Sequence, residues 1–293
     1  MRSHEGNLMD RSKLDGLASP VQVIAVTGGK GGVGKTSVAV NLAAALAATD
    51  KRVVLLDGDL GLANVDVFLG LSPRYTLAHV LNGERTLDEI LVTAPQGFLV
   101  VPAASGAANL VNMDARAHLG LVQAFSALAT QVDVLIVDTA AGLGHGVTQF
   151  SQAAQQVVVT ICDEPASLTD AYALVKVLSR HHGVSRFRVL TNMVRSPGAG
   201  QDLFRRFERV TTRFLDVVLD FVGEIPEDEY LRRAVRAQRT VTDAYPASVS
   251  AQAFRRFATK AAAWPIPDSP RGNLEFFVER LVQPRAVRLE AVQ

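Results

Sequence analysis

Continuous apolar runs recur along the chain and alternate with stretches of helical periodicity. Unbroken apolar runs are typical of strands covered on both faces, whereas half-exposed strands alternate apolar with polar residues. Seven such runs predict strands at residues 21–26, 53–57, 98–101, 132–138, 157–162, 186–192 and 217–222. The helices predicted between them cover residues 35–48, 76–81, 86–92, 116–130, 166–181 and 201–214. This alternation predicts an α/β fold with three layers, α/β/α, around a mostly parallel, doubly wound sheet of about seven to eight strands.

The same pattern divides the chain into an arm, a domain and a tail. Residues 1–19 are polar and without periodicity, which predicts a flexible N-terminal arm. No linker-like segment precedes residue 262, so residues 20–262 are expected to form one domain. A tail of residues 263–293 follows, with three prolines near its start that would interrupt a helix. A short amphipathic helix is predicted within the tail at residues 273–283.

Composition and charge limit the classes of function that this chain is expected to have. Of the 293 residues, 48% are hydrophobic and 20% are charged, which is ordinary for a soluble globular protein with a sizeable core. The net charge of +1 gives no electrostatic reason to expect nucleic-acid binding. The single cysteine, Cys162, cannot form an internal disulfide, which favours a reducing compartment. The polar N-terminal residues do not resemble a signal peptide, and no apolar run could span a bilayer, so the expected location is the cytoplasm.

A glycine-rich loop between the first strand and the first helix carries the main chemical signal. Its residues 29–36 match a phosphate-binding loop in the strand–loop–helix context that such a loop requires. Glycines let backbone N–H groups turn inward around a phosphate, and the positive end of the next helix points at it. Lys35 can reach the β- and γ-phosphates, and the Thr36 hydroxyl can bind Mg²⁺. The expected nucleotide-binding residues of this segment are Gly29, Lys30, Gly31, Gly32, Val33, Gly34, Lys35, Thr36 and Ser37.

Carboxylates follow two of the predicted strands. Asp57 and Asp59 stand at the end of the second strand, and Asp138 ends the fourth. The carboxyl ends of parallel strands meet at the sheet edge where ligands bind. A carboxylate there can orient an attacking water or hold the water shell of a metal ion. Asp138 has the pattern of a Walker B aspartate, and the expected metal ligands are Thr36, Asp59 and Asp138.

The segment from Lys30 to Thr36 resembles the signature of the MinD/ParA family, the deviant Walker A ATPases of the SIMIBI class of P-loop NTPases. The resemblance implies a slow, switch-type enzyme that hydrolyses ATP to ADP and phosphate. It also implies that Lys30 crosses a dimer interface to touch the nucleotide of the partner. Lys30, Lys35 and Asp59 are therefore the expected catalytic residues.

Two further segments resemble the family's switch regions. Asp59 occupies the position of the hydrolytic aspartate of switch I, while Asp57 is expected to have a structural or water-network role. Gly58 stands where the family usually has alanine, a change expected to loosen the loop. Residues 138–144 resemble switch II, in which Gly142 would donate its N–H group to the γ-phosphate.

The expected base-binding residues come later in the chain. Asn192, at the end of the sixth predicted strand, resembles the asparagine with which the family reads adenine. Pro226 and Glu227 resemble the segment that borders the base. The sequence lacks the Asn-Lys-x-Asp element of guanine-binding proteins. ATP and Mg²⁺ are therefore the expected cofactors.

Six stretches resemble the FleN/FlhG branch of the family, whose members regulate flagellar number. The branch resemblance implies an ATP-dependent homodimer that antagonises a FleQ-type enhancer-binding transcription activator and acts with the flagellar GTPase FlhF. Residues 1–20 lack the Asp-Gln-Ala triplet of relatives that stimulate this GTPase, so that activity is not implied. A ParA-type DNA-binding partition ATPase and a division-site MinD remain the alternative functions. The six stretches are residues 25–30, 59–67, 101–106, 137–142, 162–173 and 270–282.

The apolar residues of the predicted tail helix recur at helical spacing. A short amphipathic helix of this kind can lie on a bilayer or pack on the protein body. The family resemblance favours reversible contact with the cytoplasmic face of the inner membrane, at the flagellated pole. The apolar residues are Leu274, Phe277, Val278, Leu281 and Val282.

Arginines are concentrated in two predicted helical regions. Solvated helix faces would account for them, and a surface for DNA or for an acidic partner is the alternative. With a net charge of +1, direct DNA binding is not expected. The two groups are Arg205, Arg206, Arg209 and Arg213, and Arg232, Arg233, Arg236 and Arg239.

Overall fold

The computed structural model describes residues 20–59, 61–103, 115–128, 131–267 and 276–277. Eight strands form one sheet in the order β3-β4-β2-β5-β1-β6-β7-β8. The strands are β1 (Gln22–Thr27), β2 (Val53–Gly58), β3 (Val92–Thr93), β4 (Leu99–Val101), β5 (Val134–Thr139), β6 (Gln156–Ile161), β7 (Arg186–Val194) and β8 (Val218–Pro226). Every neighbouring pair is parallel except β3 and β4, which are antiparallel.

Helices connect the parallel strands. Those among the described residues are α1 (Lys35–Ala47), α2 (Val65–Leu69), α3 (Leu77–Leu81), α4 (Leu87–Ile90), α5 (Ala115–Ser126), α6 (His145–Ala153), α7 (Pro165–His182), α8 (Ala199–Phe214), α9 (Glu229–Arg236), α10 (Val241–Ala244) and α11 (Val249–Ala262). The predicted mostly parallel, doubly wound α/β sheet is confirmed. The very short edge strand β3 and the helices α2, α6, α10 and α11 are additions that the sequence pattern did not predict.

The central strands β1, β2, β5 and β6 are buried along their whole length, which explains their unbroken apolar sequences. Helix α1 is also almost entirely buried, because it packs between the sheet and α11. Phe254 and Phe257 of α11 are buried in this layer, and burial of each side chain contributes about 1.5–3 kcal/mol. The core therefore holds the loop before α1 on a rigid base.

The predicted arm, residues 1–19, lies outside the described residues, as does most of the predicted tail helix 273–283. Phe276 and Phe277 are described and are buried. The ring of Phe276 lies 5.0 Å from that of Phe125 and 6.4 Å from that of Phe150, measured between centroids. These two tail residues thus pack on the protein body. Within the described part of the chain, no helix has the length and apolar character needed to span a membrane.

Candidate nucleotide site

The loop of residues 29–36 joins β1 to α1 at the carboxyl edge of the sheet. Gly34 precedes the first residue of α1 and has a left-handed backbone, with φ of 88°. A Cβ atom on Gly34 would lie 2.4 Å from Nδ2 of Asn192, and one on Gly29 would lie 2.2 Å from the carbonyl oxygen of Asp170. Glycine is required at Gly34 for its backbone angle and at both positions for space.

Asn192, at the end of β7, holds the loop from the side. Its Nδ2 donates a hydrogen bond of 2.8 Å to the carbonyl oxygen of Val33. The side chain is buried, and its Oδ1 has no partner in the described structure. A buried acceptor without a partner favours a ligand that donates there, as the exocyclic amine of adenine does.

A cavity of about 340 Å³ opens beside Asn192. The predicted base-bordering residues Pro226 and Glu227 line it, together with Ser37 of α1. The structure therefore brings the predicted base-binding residues together. Sequence reasoning missed four further lining residues on α9, which are Leu231, Arg232, Val235 and Arg236. The only signal for these lining residues in the sequence is their helical spacing after the turn at Pro226.

Lys35, the first residue of α1, is buried beneath the loop. Its Nζ lies 3.5 Å from the carbonyl oxygen of Lys30, to which it donates. Burial lowers the pKa of Lys35, while the nearby carboxylates of Asp138 and Asp59 act to raise it. A buried amine of this kind is stabilised in its charged form by an anion, and a phosphate group meets that need.

Asp57 and Asp138 lie side by side, because they are paired in the register of β2 and β5. Burial raises the pKa of Asp138 to about 8, and the neighbouring Asp57 acts in the same direction. The Thr36 side chain hydrogen-bonds to Asp138, yet Oδ1 of Asp138 has no partner in the described structure. Among the described residues, no group of three His, Cys, Asp or Glu side chains could hold a metal ion. A cation here would take Thr36, waters and phosphate oxygens as ligands beside Asp138.

Asp57 anchors the start of the predicted switch I. Its carboxylate accepts hydrogen bonds from the backbone N–H groups of Asp59 (3.1 Å), Asn64 (2.9 Å) and Val65 (3.1 Å). These bonds lower the pKa of Asp57, but burial outweighs them and raises it to about 6. Asp59 itself is half-buried, and its Oδ1 accepts a hydrogen bond of 3.1 Å from the N–H group of Leu62.

Gly58, which stands where the family usually has alanine, is buried as the last residue of β2. A Cβ atom there would lie 2.8 Å from the carbonyl oxygen of Asp138. The missing side chain thus lets β2 and β5 approach closely.

Gly142 of the predicted switch II has a left-handed backbone, with φ of 94°. Its N–H group donates a hydrogen bond of 3.4 Å to the carbonyl oxygen of Gly28. The predicted donor thus lies at the phosphate loop but is directed at the protein. A nucleotide would have to displace this long bond to receive the N–H group.

Lys30 forms an ion pair with Glu164, a residue outside the phosphate loop. Glu164 precedes α7, and its carboxylate raises the pKa of Lys30 through a hydrogen bond. The side chain of Lys30 is 37% exposed at the carboxyl edge of the sheet. Sequence reasoning missed Glu164, since the two residues are 134 positions apart.

A family model described as the CobQ/CobB/MinD/ParA nucleotide binding domain matches residues 24–241, which include the loop, both aspartate-bearing strands and the base cavity. The chain belongs to this family. Its predicted resemblance to the MinD/ParA group is therefore confirmed.

Individual relatives agree with this assignment. The antiactivator FleN of Pseudomonas aeruginosa is 58% identical over 271 residues, which cover 92% of this chain and 97% of that protein. The flagellum site-determining protein YlxH of Helicobacter pylori is 30% identical over 89% of each chain. Among solved structures, MinD of Pyrococcus horikoshii in complex with Mg-ADP superposes with a TM-score of 0.68 and 25% identity, over 82% of this chain and 96% of that one. The predicted similarity to the FleN/FlhG branch is also confirmed.

Proposed function

We propose that the chain is a MinD-like ATPase that limits flagellar number by restraining a FleQ-type transcription activator. The observation that carries the proposal is the 58% identity to the antiactivator FleN, in a chain whose phosphate loop and base cavity lie together. An antiactivator opposes an activator, and the YlxH relative is named for placing the flagellum. Similarity to both relatives therefore favours regulation of flagella over the other functions that proteins of this fold perform.

ATP with Mg²⁺ is the proposed ligand. The buried amine of Lys35 suits a phosphate, and the unpartnered Oδ1 of Asn192 suits the amine of adenine. The MinD relative from Pyrococcus horikoshii was solved with Mg-ADP. Thr36 and Asp138 would hold the cation, which supplies positive charge to the phosphoryl group during transfer.

Asp59 is the proposed residue that orients the attacking water. Its Oδ1 accepts a hydrogen bond from the N–H group of Leu62, which leaves the second carboxylate oxygen to hold a water. Lys35 would stabilise charge on the β- and γ-phosphates. The slow, switch-type hydrolysis that the family resemblance implies is part of this proposal.

A homodimer formed with ATP is the proposed active state. Four exposed apolar side chains lie at or just after the carboxyl ends of strands, which places them around the nucleotide site. They are Leu62 at 72% exposure, Leu143 at 46%, Met193 at 41% and Tyr230 at 48%. Exposed apolar residues around one site favour a protein surface as the partner. A second copy of this chain would cover both sites at once.

Lys30 is the proposed contact to the nucleotide of the partner. It is exposed at the same edge and is directed at Glu164 rather than at its own loop. An exposed ion pair is weak because solvent screens it, so a phosphate group can compete for Lys30.

Partners beyond the activator remain proposals. We propose that the protein acts with the flagellar GTPase FlhF and that its tail contacts the cytoplasmic face of the inner membrane at the flagellated pole. The spacing of apolar residues in the tail supports membrane contact. Phe276 and Phe277 are buried against the body here, so membrane binding would require their release.

Flagellar counting tests this function. Deletion of the gene should raise both the number of flagella per cell and the level of flagellar transcripts. The wild-type chain supplied from a plasmid should restore the normal number, and a chain with the substitution Lys35→Ala should not. Unchanged flagellation in the deletion strain would contradict the proposal, and a division defect would favour a division-site MinD instead.

The partition-ATPase alternative receives little support from the arginine-rich helices. On α8, Arg205 pairs with Asp202 at 3.2 Å and Arg206 pairs with Asp163 at 2.6 Å. Such pairs reduce the positive potential available to a phosphate backbone. The prediction that direct DNA binding is absent can be checked by a gel-shift titration with ATP at low salt, where the partition protein would bind.

A further inference from the structure

Helix α2 follows the segment that carries Asp59, and its first turn is fixed by Asp57. The carboxylate of Asp57 accepts the N–H groups of Asn64 and Val65, the residues at which α2 begins. Any movement of α2 must therefore be transmitted to the Asp57–Asp59 segment.

The other end of α2 is held by Gln238. Nε2 of Gln238 donates a hydrogen bond of 2.9 Å to the carbonyl oxygen of Val67. Gly70 ends α2 with a left-handed backbone, and a Cβ atom there would lie 2.9 Å from Oε1 of Gln238. The side chain of Gln238 thus fits closely over the end of the helix.

Gln238 also follows α9, which forms one wall of the base cavity. Leu231, Val235 and Arg236 of this helix line the cavity beside Asn192. Gln238 is two residues beyond Arg236. It therefore connects the helix that a base would contact with the helix that follows Asp59.

The backbone of Gln238 is unusual for a residue with a side chain. Its φ is +53°, and the N–H group of Arg239 donates to the carbonyl oxygen of Ala234, as at a helix end where glycine is preferred. Glutamine is less favourable than glycine in this conformation. The hydrogen bond from its amide to the carbonyl oxygen of Val67 is an interaction that glycine could not make.

We propose that Gln238 is a positioning residue that couples occupancy of the base cavity to the segment carrying Asp59. The inference rests on the proposed ATPase function. A base in the cavity restrains α9, the amide of Gln238 then restrains α2, and α2 holds Asp57 and Asp59 in register with the phosphate loop. Nucleotide hydrolysis thereby depends on the base as well as on the phosphates.

Two substitutions separate the effect of the Gln238 amide from the effect of its left-handed backbone. Gln238→Gly removes the amide and relaxes the left-handed backbone, whereas Gln238→Glu keeps the backbone and removes the N–H donor. Both variants should bind ATP within about twofold of the wild type, yet their kcat should fall about fivefold, the factor expected for one lost hydrogen bond. The KM should change little, and Gln238→Gly should melt at the same or a higher temperature.

Asp50→Gly is the matched control, because Asp50 also has a left-handed backbone, with φ of +58°, but lies near the end of α1 away from the base cavity. Its kcat should equal that of the wild type. Turnover of ATP and CTP at saturation adds a second readout. The wild type should favour ATP, and both Gln238 variants should lose most of that preference in kcat.

A wild-type kcat and a wild-type preference for ATP over CTP in Gln238→Glu would overturn the inference. A fall in kcat confined to Gln238→Gly would also overturn it, because backbone freedom would then be the cause. Absence of ATPase activity in the wild type would overturn the proposed function and this inference together.

Discussion

Lys35 and Asp138 are buried together at the sheet edge where the phosphates of a nucleotide would lie. Each has a pKa shifted towards its neutral form by burial, the lysine downwards and the aspartate to about 8. Burial makes both charged forms costly, and a bound phosphate and cation would relieve that cost. These shifts could not be predicted from sequence, because they arise mainly from burial in the folded protein.

Lys35→Ala should abolish measurable binding of ATP while the protein remains folded, because the substitution removes the buried cation beneath the phosphates. Isothermal titration with ATP and Mg²⁺ measures the binding, and circular dichroism checks the fold. Lys51→Ala is a suitable control, since Lys51 is an exposed lysine beyond α1. Tight binding by Lys35→Ala would refute the assignment of the phosphate loop.

Stability of the protein without nucleotide or metal should depend on the proton at Asp138. The folded state holds that proton up to about pH 8, whereas the unfolded chain loses it near the ordinary pKa of 3.8. The free energy of unfolding should therefore fall as pH rises from 6 to 8, by at most about 1.4 kcal/mol per pH unit. Denaturant titrations in EDTA should show a shallower fall for Asp138→Asn. Equal slopes in the two proteins would contradict the raised pKa.

At the scale of elements, local sequence patterns were enough to predict the main strands, α1 and the phosphate loop. Contacts between distant parts of the chain were not predictable in this way. The bond from Asn192 to Val33 spans 159 residues, and the contact of Gln238 with Val67 spans 171. Helix α11 does carry apolar residues at helical spacing, and that signal could have found it.

The loop itself should tolerate some glycine substitutions and not others. Gly34→Ala places a Cβ atom at a φ of 88° and 2.4 Å from Nδ2 of Asn192. Its free energy of unfolding should fall by at least about 1–2 kcal/mol from the backbone alone. A Cβ atom on Gly31 has no neighbour within 4 Å, so Gly31→Ala should unfold like the wild type without nucleotide. Equal denaturation midpoints for both variants would contradict this geometry.

For the whole molecule, the candidate nucleotide site shares one edge of the sheet with four exposed apolar side chains, those of Leu62, Leu143, Met193 and Tyr230. The phosphate loop accounts for nucleotide binding alone. Lys30 is the loop residue whose side chain pairs with a residue outside the loop, Glu164. The family and the fold were predictable because their motifs are contiguous in sequence. The proposed homodimer follows only from the family resemblance, because a dimer surface would be formed by segments that come together after folding.

The oligomeric state of Asp59→Ala with ATP tests the switch model most directly. Loss of the water-orienting carboxylate should leave ATP bound but not hydrolysed, so the ATP-bound form should accumulate. Light scattering after gel filtration should give a dimer with ATP and Mg²⁺ and a monomer with ADP, and the added substitution Lys30→Ala should abolish the dimer. A monomer with ATP demonstrably bound to Asp59→Ala would contradict the model.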